Sequence, residues 1–188
     1  MLFITVSTGI GGGIIIDGKL YFGASGGAGE VGHMTIDVNG PKCACGNVGC
    51  WETLASGTAV AREAINRIHR GEKSLLTEMV KGKIETITAE KVSEAAQQGD
   101  ALAQEVIARA MTYLGIGMVN LVNIFNPEMI VVGGGLSKMG NLLFDPVRQV
   151  VKDRAFPLLA QAVRVVPAKL GDDAGILGAA IFASEEEK

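Results

Sequence analysis

The strongest constraint on how this chain can fold is a cluster of metal-binding residue types near its start. All three cysteines, Cys43, Cys45 and Cys50, lie within eight positions, and His33 stands just upstream of them. One histidine and three cysteines form a complete ligand set for a tetrahedral structural zinc ion. The sequence therefore predicts that His33, Cys43, Cys45 and Cys50 bind Zn²⁺ and that the chain between them folds into a loop around it.

Two alternatives for these cysteines have to be weighed. A disulfide would leave one cysteine over, and Cys43 and Cys45 are too close in sequence to pair comfortably. Unrelated buried thiols are the second alternative, but Gly46 and Gly49 permit tight turns whose backbone amides can point at sulfur. Because the first residues lack the basic start and long apolar run of a secretory leader, we expect a reducing, cytoplasmic setting. In that setting clustered cysteines usually bind metal or act in catalysis.

Two carboxylates flank the predicted zinc loop. Glu30 precedes His33 by three residues, and Glu52 follows Cys50 by two. Neither carboxylate is needed to complete the ligand set. The spacing suggests that the metal holds acidic side chains in position for another task.

Composition limits the classes of protein to which the chain can belong. Its 188 residues, of which 48% are hydrophobic, suit one domain with a real core. A net charge of −3 provides no basic surface for nucleic acid. No apolar run approaches the roughly 20 residues needed to cross a membrane. We therefore expect neither a nucleic-acid partner nor a membrane partner.

The first of two glycine clusters spans residues 8–13 and follows a β-type run at 2–6. Asp17-Gly18 further along predicts a hairpin, so the glycines are not followed by the helix that a dinucleotide-binding fingerprint requires. The Gly-Lys-Ser/Thr sequence of a Walker A loop is also absent. Two interpretations stay open: a turn whose bare amides approach an anion, and a tight β-turn without a ligand.

The second cluster, Gly133, Gly134 and Gly135, follows a buried-strand pattern at 129–132 and precedes a predicted helix at 141–154. In open α/β sheets, ligands bind at the carboxyl ends of strands, which is where these glycines would lie. On this stretch alone, a plain turn between strand and helix is the simpler interpretation.

Helical patterns fill the middle of the chain, and strands return near its end. Ser56 or Thr58 can cap one helix, and Asp100 can cap a long one that Asn126-Pro127 ends. The other predicted elements are helices at 72–80, 88–99 and 175–184 and a strand at 163–166. The predicted order is a β-hairpin, a metal loop, a helical stretch and βαβα, which indicates an α/β fold.

Taken together, these motifs resemble the ROK family of bacterial sugar kinases and repressors, most closely its glucokinase-like members. The cysteine motif is highly specific, whereas each glycine cluster alone is weak. The matching stretches are residues 8–13, 26–33, 43–52, 56–57, 126–127, 133–135 and 173–180. The resemblance implies an actin-like ATPase (ribonuclease H-like) lobe with an inserted helical stretch and zinc loop. In the family, ATP lies between two lobes and the sugar lies deep in the cleft.

The resemblance also implies which residues contact the sugar, namely Glu30, His33 and Glu52. His33 can give one ring nitrogen to zinc and keep the other for a hydroxyl. Carboxylates suit a sugar because they accept several hydrogen bonds from neighbouring hydroxyls.

The ATP contacts implied by the resemblance come from the two glycine clusters. The residues expected to face the phosphates of Mg²⁺-ATP are Thr8, Gly9 and Gly11. The residues expected near the nucleoside are Gly133, Gly134 and Gly135.

Two family motifs have no counterpart in residues 1–188. They are the Asp-x-Gly-Gly-Thr phosphate motif of the N-terminal lobe and the Asp of an Asn-Asp-type motif that takes the proton from the attacking hydroxyl. The pair Asp172-Asp173 matches a late family motif instead. We therefore expect a single C-terminal lobe, with the zinc loop at 30–52 and no catalytic residue of its own. Without its base and its second lobe, such a chain should be nearly inactive.

Three functions compete on these grounds. The first is ATP-dependent phosphorylation of a hexose, with glucose converted to glucose 6-phosphate as the favoured reaction. The second is the sugar-binding or oligomerisation half of a ROK-type repressor, and the third is a non-catalytic sugar-sensing module. Intact glycine turns favour the kinase. The expected partners are a hexose, ATP, a second copy in a homodimer and the missing N-terminal lobe.

Overall fold

Five strands form one mixed sheet in the computed structural model, which describes residues 1–186 except for the side chains of 172 and 184–186. The strands are β1 (Leu2–Val6), β2 (Ile10–Ile16), β3 (Lys19–Leu20), β4 (Met129–Gly133) and β5 (Arg164–Pro167). Their order is β3-β2-β1-β4-β5. β1 runs antiparallel to β2 and parallel to β4, and β5 is parallel to β4. The carboxyl ends of β1, β4 and β5 therefore share one edge of the sheet.

Helices connect and cover these strands. They are α1 (Trp51–Ala55), α2 (Gly57–His69), α3 (Leu76–Met79), α4 (Ala89–Gln97), α5 (Ala101–Phe125), α6 (Asn141–Arg154), α7 (Pro157–Ala162) and α8 (Ala174–Glu186). The order confirms the predicted α/β fold with a helical stretch between the zinc loop and β4. The last two residues of the predicted 1–188 lobe lie outside the described residues.

The centre of the core is α5, which contacts α1, α2, α4 and α6. Its Met111, Leu114 and Met118 have no exposed surface. Among the described residues, α5 is the helix whose length and composition would allow it to cross a membrane, and 56% of its most apolar window is buried inside the protein. A core helix passes the same test, and α5 packs as one.

Several predicted boundaries are confirmed with their local causes. Ser56 caps α2 by accepting a hydrogen bond from the backbone N–H of Ala59, and Asp100 caps α5 by accepting one from Ala103. Asn126 ends α5 in the left-handed conformation, with φ of 43°. Asp17-Gly18 forms the predicted hairpin between β2 and β3, although β3 has only two residues.

The prediction that residues 8–13 form one glycine turn is wrong. The turn covers residues 7–9, and Gly11, Gly12 and Gly13 lie inside β2. The physical reason is a close approach of backbone to the strand, the usual cause of glycine in a strand interior. A Cβ on Gly12 would lie 2.8 Å from Val31 Cγ2, and a Cβ on Gly29 would lie 2.4 Å from Gly12 O.

Three helices also differ from the prediction. The helix expected at 72–80 is only α3, because Ser74 Oγ and Leu75 N donate hydrogen bonds to Asp100 rather than starting a helix at 72. The short helices α1 and α7 were not predicted. α7 begins with Pro157, whose fixed φ suits a first helical position.

Candidate functional site

The four predicted zinc ligands meet at one point, with all ligand atoms within 4.8 Å of one another. Cys45 Sγ lies 3.6 Å from Cys50 Sγ, and Cys43 Sγ lies 3.7 Å from His33 Nδ1. Tetrahedral zinc, with Zn–S of about 2.3 Å and Zn–N of about 2.0 Å, requires S–S edges of about 3.8 Å and S–N edges of about 3.5 Å. The residues therefore fit a zinc ion, and the sulfur separation is too long for a disulfide.

Two glycines shape the loop that carries the thiols. Gly46 and Gly49 have φ of 94° and 66°, and a Cβ on Gly49 would lie 1.6 Å from Asp37 O. The backbone amide of Asn47 donates to Cys45 and, with the neighbouring thiol of Cys43, lowers the pKa of Cys45. Burial acts in the opposite direction and raises the pKa of Cys50 to about 12. A cation that binds all three sulfurs would offset this cost of ionising Cys50.

Trp51 anchors the zinc loop to the core. Its side chain is fully buried, and its Nε1 donates a hydrogen bond of 3.0 Å to the backbone oxygen of Tyr113 in α5. A Cβ on Gly117 would lie 2.1 Å from Trp51 Cε2, so the indole rests directly on the helix backbone. This role of Trp51 was not predicted from the sequence. The signal was the only tryptophan of the chain, placed between Cys50 and Glu52.

His33 presents its two ring nitrogens to different groups. It ends a helical turn at Val31–His33, with Nδ1 toward Cys43 and Nε2 3.7 Å from Glu30 Oε2. The second distance is too long for a direct hydrogen bond. Both side chains are accessible, since 39% of His33 and 76% of Glu30 are exposed. A hydroxyl group can therefore reach both of them.

The third predicted sugar ligand, Glu52, lies against the turn that follows β1. Its Oε2 accepts a hydrogen bond of 3.0 Å from the backbone N–H of Ile10. A Cβ on Gly9 would lie 2.2 Å from the same oxygen, and a Cβ on Gly32 would lie 2.0 Å from Ile10 O. Glu52 and the Val31–His33 turn thus approach the start of β2 from different sides.

The turn itself is held by the start of α2. Ser7 O accepts a hydrogen bond of 2.7 Å from Gly57 N, and Thr8 O accepts one of 2.7 Å from Thr58 Oγ1. Among the hydrogen bonds of the described residues, none is donated by the backbone N–H of Thr8 or Gly9. These two N–H groups can donate hydrogen bonds to an anion. Gly11, the third residue predicted to face phosphate, lies in β2 and is paired with Thr5.

The second glycine cluster lies beside this turn. Gly133 ends β4 opposite Thr5. Gly134 has φ of 85°, and a Cβ there would lie 2.5 Å from Val6 O, while a Cβ on Gly135 would lie 3.6 Å from Ser7 Oγ. The structure thus brings both clusters to one edge of the sheet, where ligands bind in such folds.

A groove leads away from the two clusters along α4. It consists of two cavities of about 310 Å³ and about 330 Å³ that share Ala89, Glu90, Gly135 and Leu136. The hydroxyl-bearing residues at the turn end are Ser7, Thr8, Thr58 and Thr88. The polar residues at the far end are Ser93, Glu94, Gln97 and Lys138. This lining was not predicted, because in the sequence Thr58 indicated only a helix cap and Thr88 only the start of a helix.

Comparisons with known proteins find relatives along nearly the whole chain. The model of the ROK family matches residues 1–186. A glucokinase from Halalkalibacterium halodurans is 41% identical over 188 residues, which is all of this chain and 57% of that protein. A xylose repressor from Caldicellulosiruptor bescii is 36% identical over 95% of this chain and 44% of its own length.

The solved structures include a ROK family glucokinase from Streptomyces griseus in complex with glucose and AMPPNP. It is 37% identical and superposes with a TM-score of 0.86 over 96% of this chain and 59% of its own. The shared fold confirms the predicted actin-like ATPase lobe. This chain spans between about two fifths and three fifths of the length of these relatives.

Proposed function

Because the chain belongs to the ROK family, we propose that it is one lobe of a sugar kinase that transfers phosphate from ATP to a hexose, with glucose as the favoured substrate. One observation carries the proposal: the carboxylate of Glu52 lies against a turn in which the N–H groups of Thr8 and Gly9 are not used. Groups suited to a sugar and groups suited to phosphate are thus adjacent.

On the sugar side, Glu30, His33 and Glu52 would bind the hydroxyls. Carboxylates accept charge-assisted hydrogen bonds, and the ring nitrogen of His33 that faces away from the cysteines adds another. A zinc ion bound to His33, Cys43, Cys45 and Cys50 would fix the positions of His33 and Glu52. Its contribution is to organise the loop, since four protein ligands leave no open position for catalysis.

On the nucleotide side, the amides of Thr8 and Gly9 would hold phosphate oxygens of Mg²⁺-ATP, and the groove beside Gly134 and Gly135 would receive the nucleoside. Backbone amides suit this task because they carry positive partial charge without bulky side chains. Phosphoryl transfer depends on holding the hydroxyl and phosphate in line. The two sides meet at Gly9, where the carboxylate of Glu52 lies against the turn.

The exposed apolar surface of α8 supports the proposal that a second lobe is needed. Ile176 is 73% exposed, and Phe182 contacts Phe22 with ring centroids 5.6 Å apart while both rings stay more than a third exposed. A helix that is apolar on all sides is normally buried, and patches of this kind mark interaction sites. We propose that the second lobe, which would also carry the catalytic base, covers this surface.

A chimera tests the proposed function. The part of the Halalkalibacterium halodurans glucokinase that this chain does not match would be fused to the chain, and ADP release with Mg²⁺-ATP measured across a panel of hexoses. We expect glucose-dependent turnover by the chimera and none by the chain alone. Glu52→Ala should abolish turnover, while Glu128→Gln, at an ion pair with Arg164 on the opposite end of the sheet strands, should not.

A repressor half is the alternative function, favoured by the similarity to the xylose repressor. It predicts a folded chimera that binds a sugar but neither binds AMPPNP nor releases ADP. Turnover by the unfused chain would contradict the proposal of an incomplete lobe, because a base would then have to lie within residues 1–188.

A further inference from the structure

The contact between Glu52 and Ile10 assigns Glu52 a task beyond contacting a sugar. We propose that Glu52 is a positioning residue for the turn at 7–10, and that through it the zinc loop holds the phosphate side of the site in place. The inference rests on the proposed function for the identity of the two ligands. The contact itself can be tested without either ligand.

Three consecutive peptide planes make up this turn, and each is fixed by a neighbour. Because a trans peptide directs its C=O and N–H groups in opposite directions, a bond to one group also aims the other. Gly57 N fixes Ser7 O and so aims the N–H of Thr8 outward, away from α2. Thr58 Oγ1 does the same for Thr8 O and the N–H of Gly9.

The third plane, between Gly9 and Ile10, is where Glu52 acts. Its carbonyl accepts a hydrogen bond from Ser7 N, and its N–H donates to Glu52 Oε2 at 3.0 Å. Ile10 is buried, with 6% exposure, so water is a poor replacement for that acceptor. Without Glu52, the plane keeps only the Ser7 bond, so the end of the turn that adjoins the Gly9 amide is held less firmly.

Glu52 in turn takes its position from the zinc loop. It is the second residue of α1, whose first residue is the buried Trp51 and whose N-cap is the zinc-ligand candidate Cys50. The connection from the metal site to the turn is therefore short: it runs through Cys50, Trp51 and Glu52 to Ile10. A change at the metal should reach the phosphate side through this carboxylate.

Amide hydrogen exchange of the zinc-loaded 188-residue chain, followed by NMR, tests the proposal. In Glu52→Ala, we expect the Ile10 amide to exchange about tenfold faster or more, as loss of a hydrogen bond to a charged group predicts. Glu52→Gln keeps an oxygen acceptor and should restore much of the protection. Removal of zinc from the wild-type chain should also accelerate hydrogen exchange at the Ile10 amide.

Gly9→Ala provides an independent perturbation of the same contact. Its Cβ would displace the carboxylate, and its φ lies outside the left-handed region, so the backbone is not strained. Ile10 should again exchange faster. Gly13→Ala in β2 is the matched control, because its Cβ would meet atoms no closer than 3.9 Å, and it should leave the exchange of the Ile10 amide unchanged.

Two results would overturn the proposal. One is unchanged exchange at Ile10 in both Glu52→Ala and Gly9→Ala. The other is an equal acceleration of hydrogen exchange at core amides such as that of Leu114, which would mean general destabilisation instead of local positioning. Either result is independent of the chimera: an inactive chimera with a protected Ile10 would reject the kinase and leave the contact intact.

Discussion

Replacing Gly117 by alanine should loosen the zinc loop from a distance. Gly117 lies in the middle of α5, and its missing side chain is what lets the indole of Trp51 rest on the helix. An added Cβ would lie 2.1 Å from Trp51 Cε2 and 2.4 Å from Nε1. Since carbon atoms prefer separations of about 3.5 to 4 Å, the indole must move by roughly 1.5 Å.

The expected cost has three parts. Overpacking of a core costs about 1 to 3 kcal/mol. Loss of the hydrogen bond from Trp51 Nε1 to Tyr113 O adds about 1 kcal/mol. Alanine recovers about 1 kcal/mol relative to glycine inside a helix. The net loss should therefore be about 1 to 3 kcal/mol in the free energy of unfolding.

Gly115→Ala is a matched control in the same helix. Its Cβ would lie 2.5 Å from Val150 Cβ on α6, so the overpacking and the gain in helix propensity are similar, but Trp51 is untouched. Urea unfolding followed by circular dichroism should show a loss that is about 1 kcal/mol larger in Gly117→Ala, because only that variant also loses the hydrogen bond of Trp51. Zinc affinity, measured by competition with a chelator, should fall about tenfold or more only in Gly117→Ala, as for the loss of a residue that supports metal ligands. Equal zinc affinities in the two variants would refute the proposed anchoring by Trp51.

Three other predictions concern stability and assembly. Asp100→Ala should lower the free energy of unfolding by about 2 to 4 kcal/mol, since the carboxylate caps α5 and accepts a hydrogen bond from Leu75 N; urea titration against Asp100→Asn checks this. Hydrogen bonds from Arg67 lower the pKa of Glu72. The stabilisation by these hydrogen bonds is therefore present above the pKa that Glu72 has in the unfolded chain, and it is lost as the pH falls through the pKa of Glu72 in the folded protein. Arg67→Met should thus shift the urea midpoint more at pH 7 than at about pH 3. The resemblance predicts a homodimer, and a monomer at high concentration in light scattering would contradict it.

Local patterns were enough to identify much of the fold and the proposed zinc site. The ligand set from His33 to Cys50 spans only 18 residues, and the glycines between the thiols adopt the conformations that the spacing required. Ser56 and Asp100 act as caps because capping depends on amides two or three residues away. Interactions of this range leave a signature in the sequence.

Contacts between residues that are distant in the sequence left no such signature. Gly12 was assigned to a turn because glycine usually indicates one, whereas its strand position is explained by the loop at Gly29 packing on it. The same holds for Trp51 and Gly117, which are 66 positions apart in the sequence and come into contact only in the folded chain. Tertiary contacts decided these positions against the local preference.

The pair Gly9 and Glu52 shows how this affects the site. The family resemblance assigned one residue to phosphate and the other to sugar, but the structure places them in contact, which predicts that their substitutions are not additive. Gly9→Ala should displace the carboxylate, and Glu52→Ala should remove it, so each breaks the same bond to Ile10. In the double variant that bond is lost once, and the loss of stability should fall short of the sum by about 1 to 2 kcal/mol. Additivity in urea unfolding, as expected for Gly13→Ala combined with Glu52→Ala, would show that the two residues act independently.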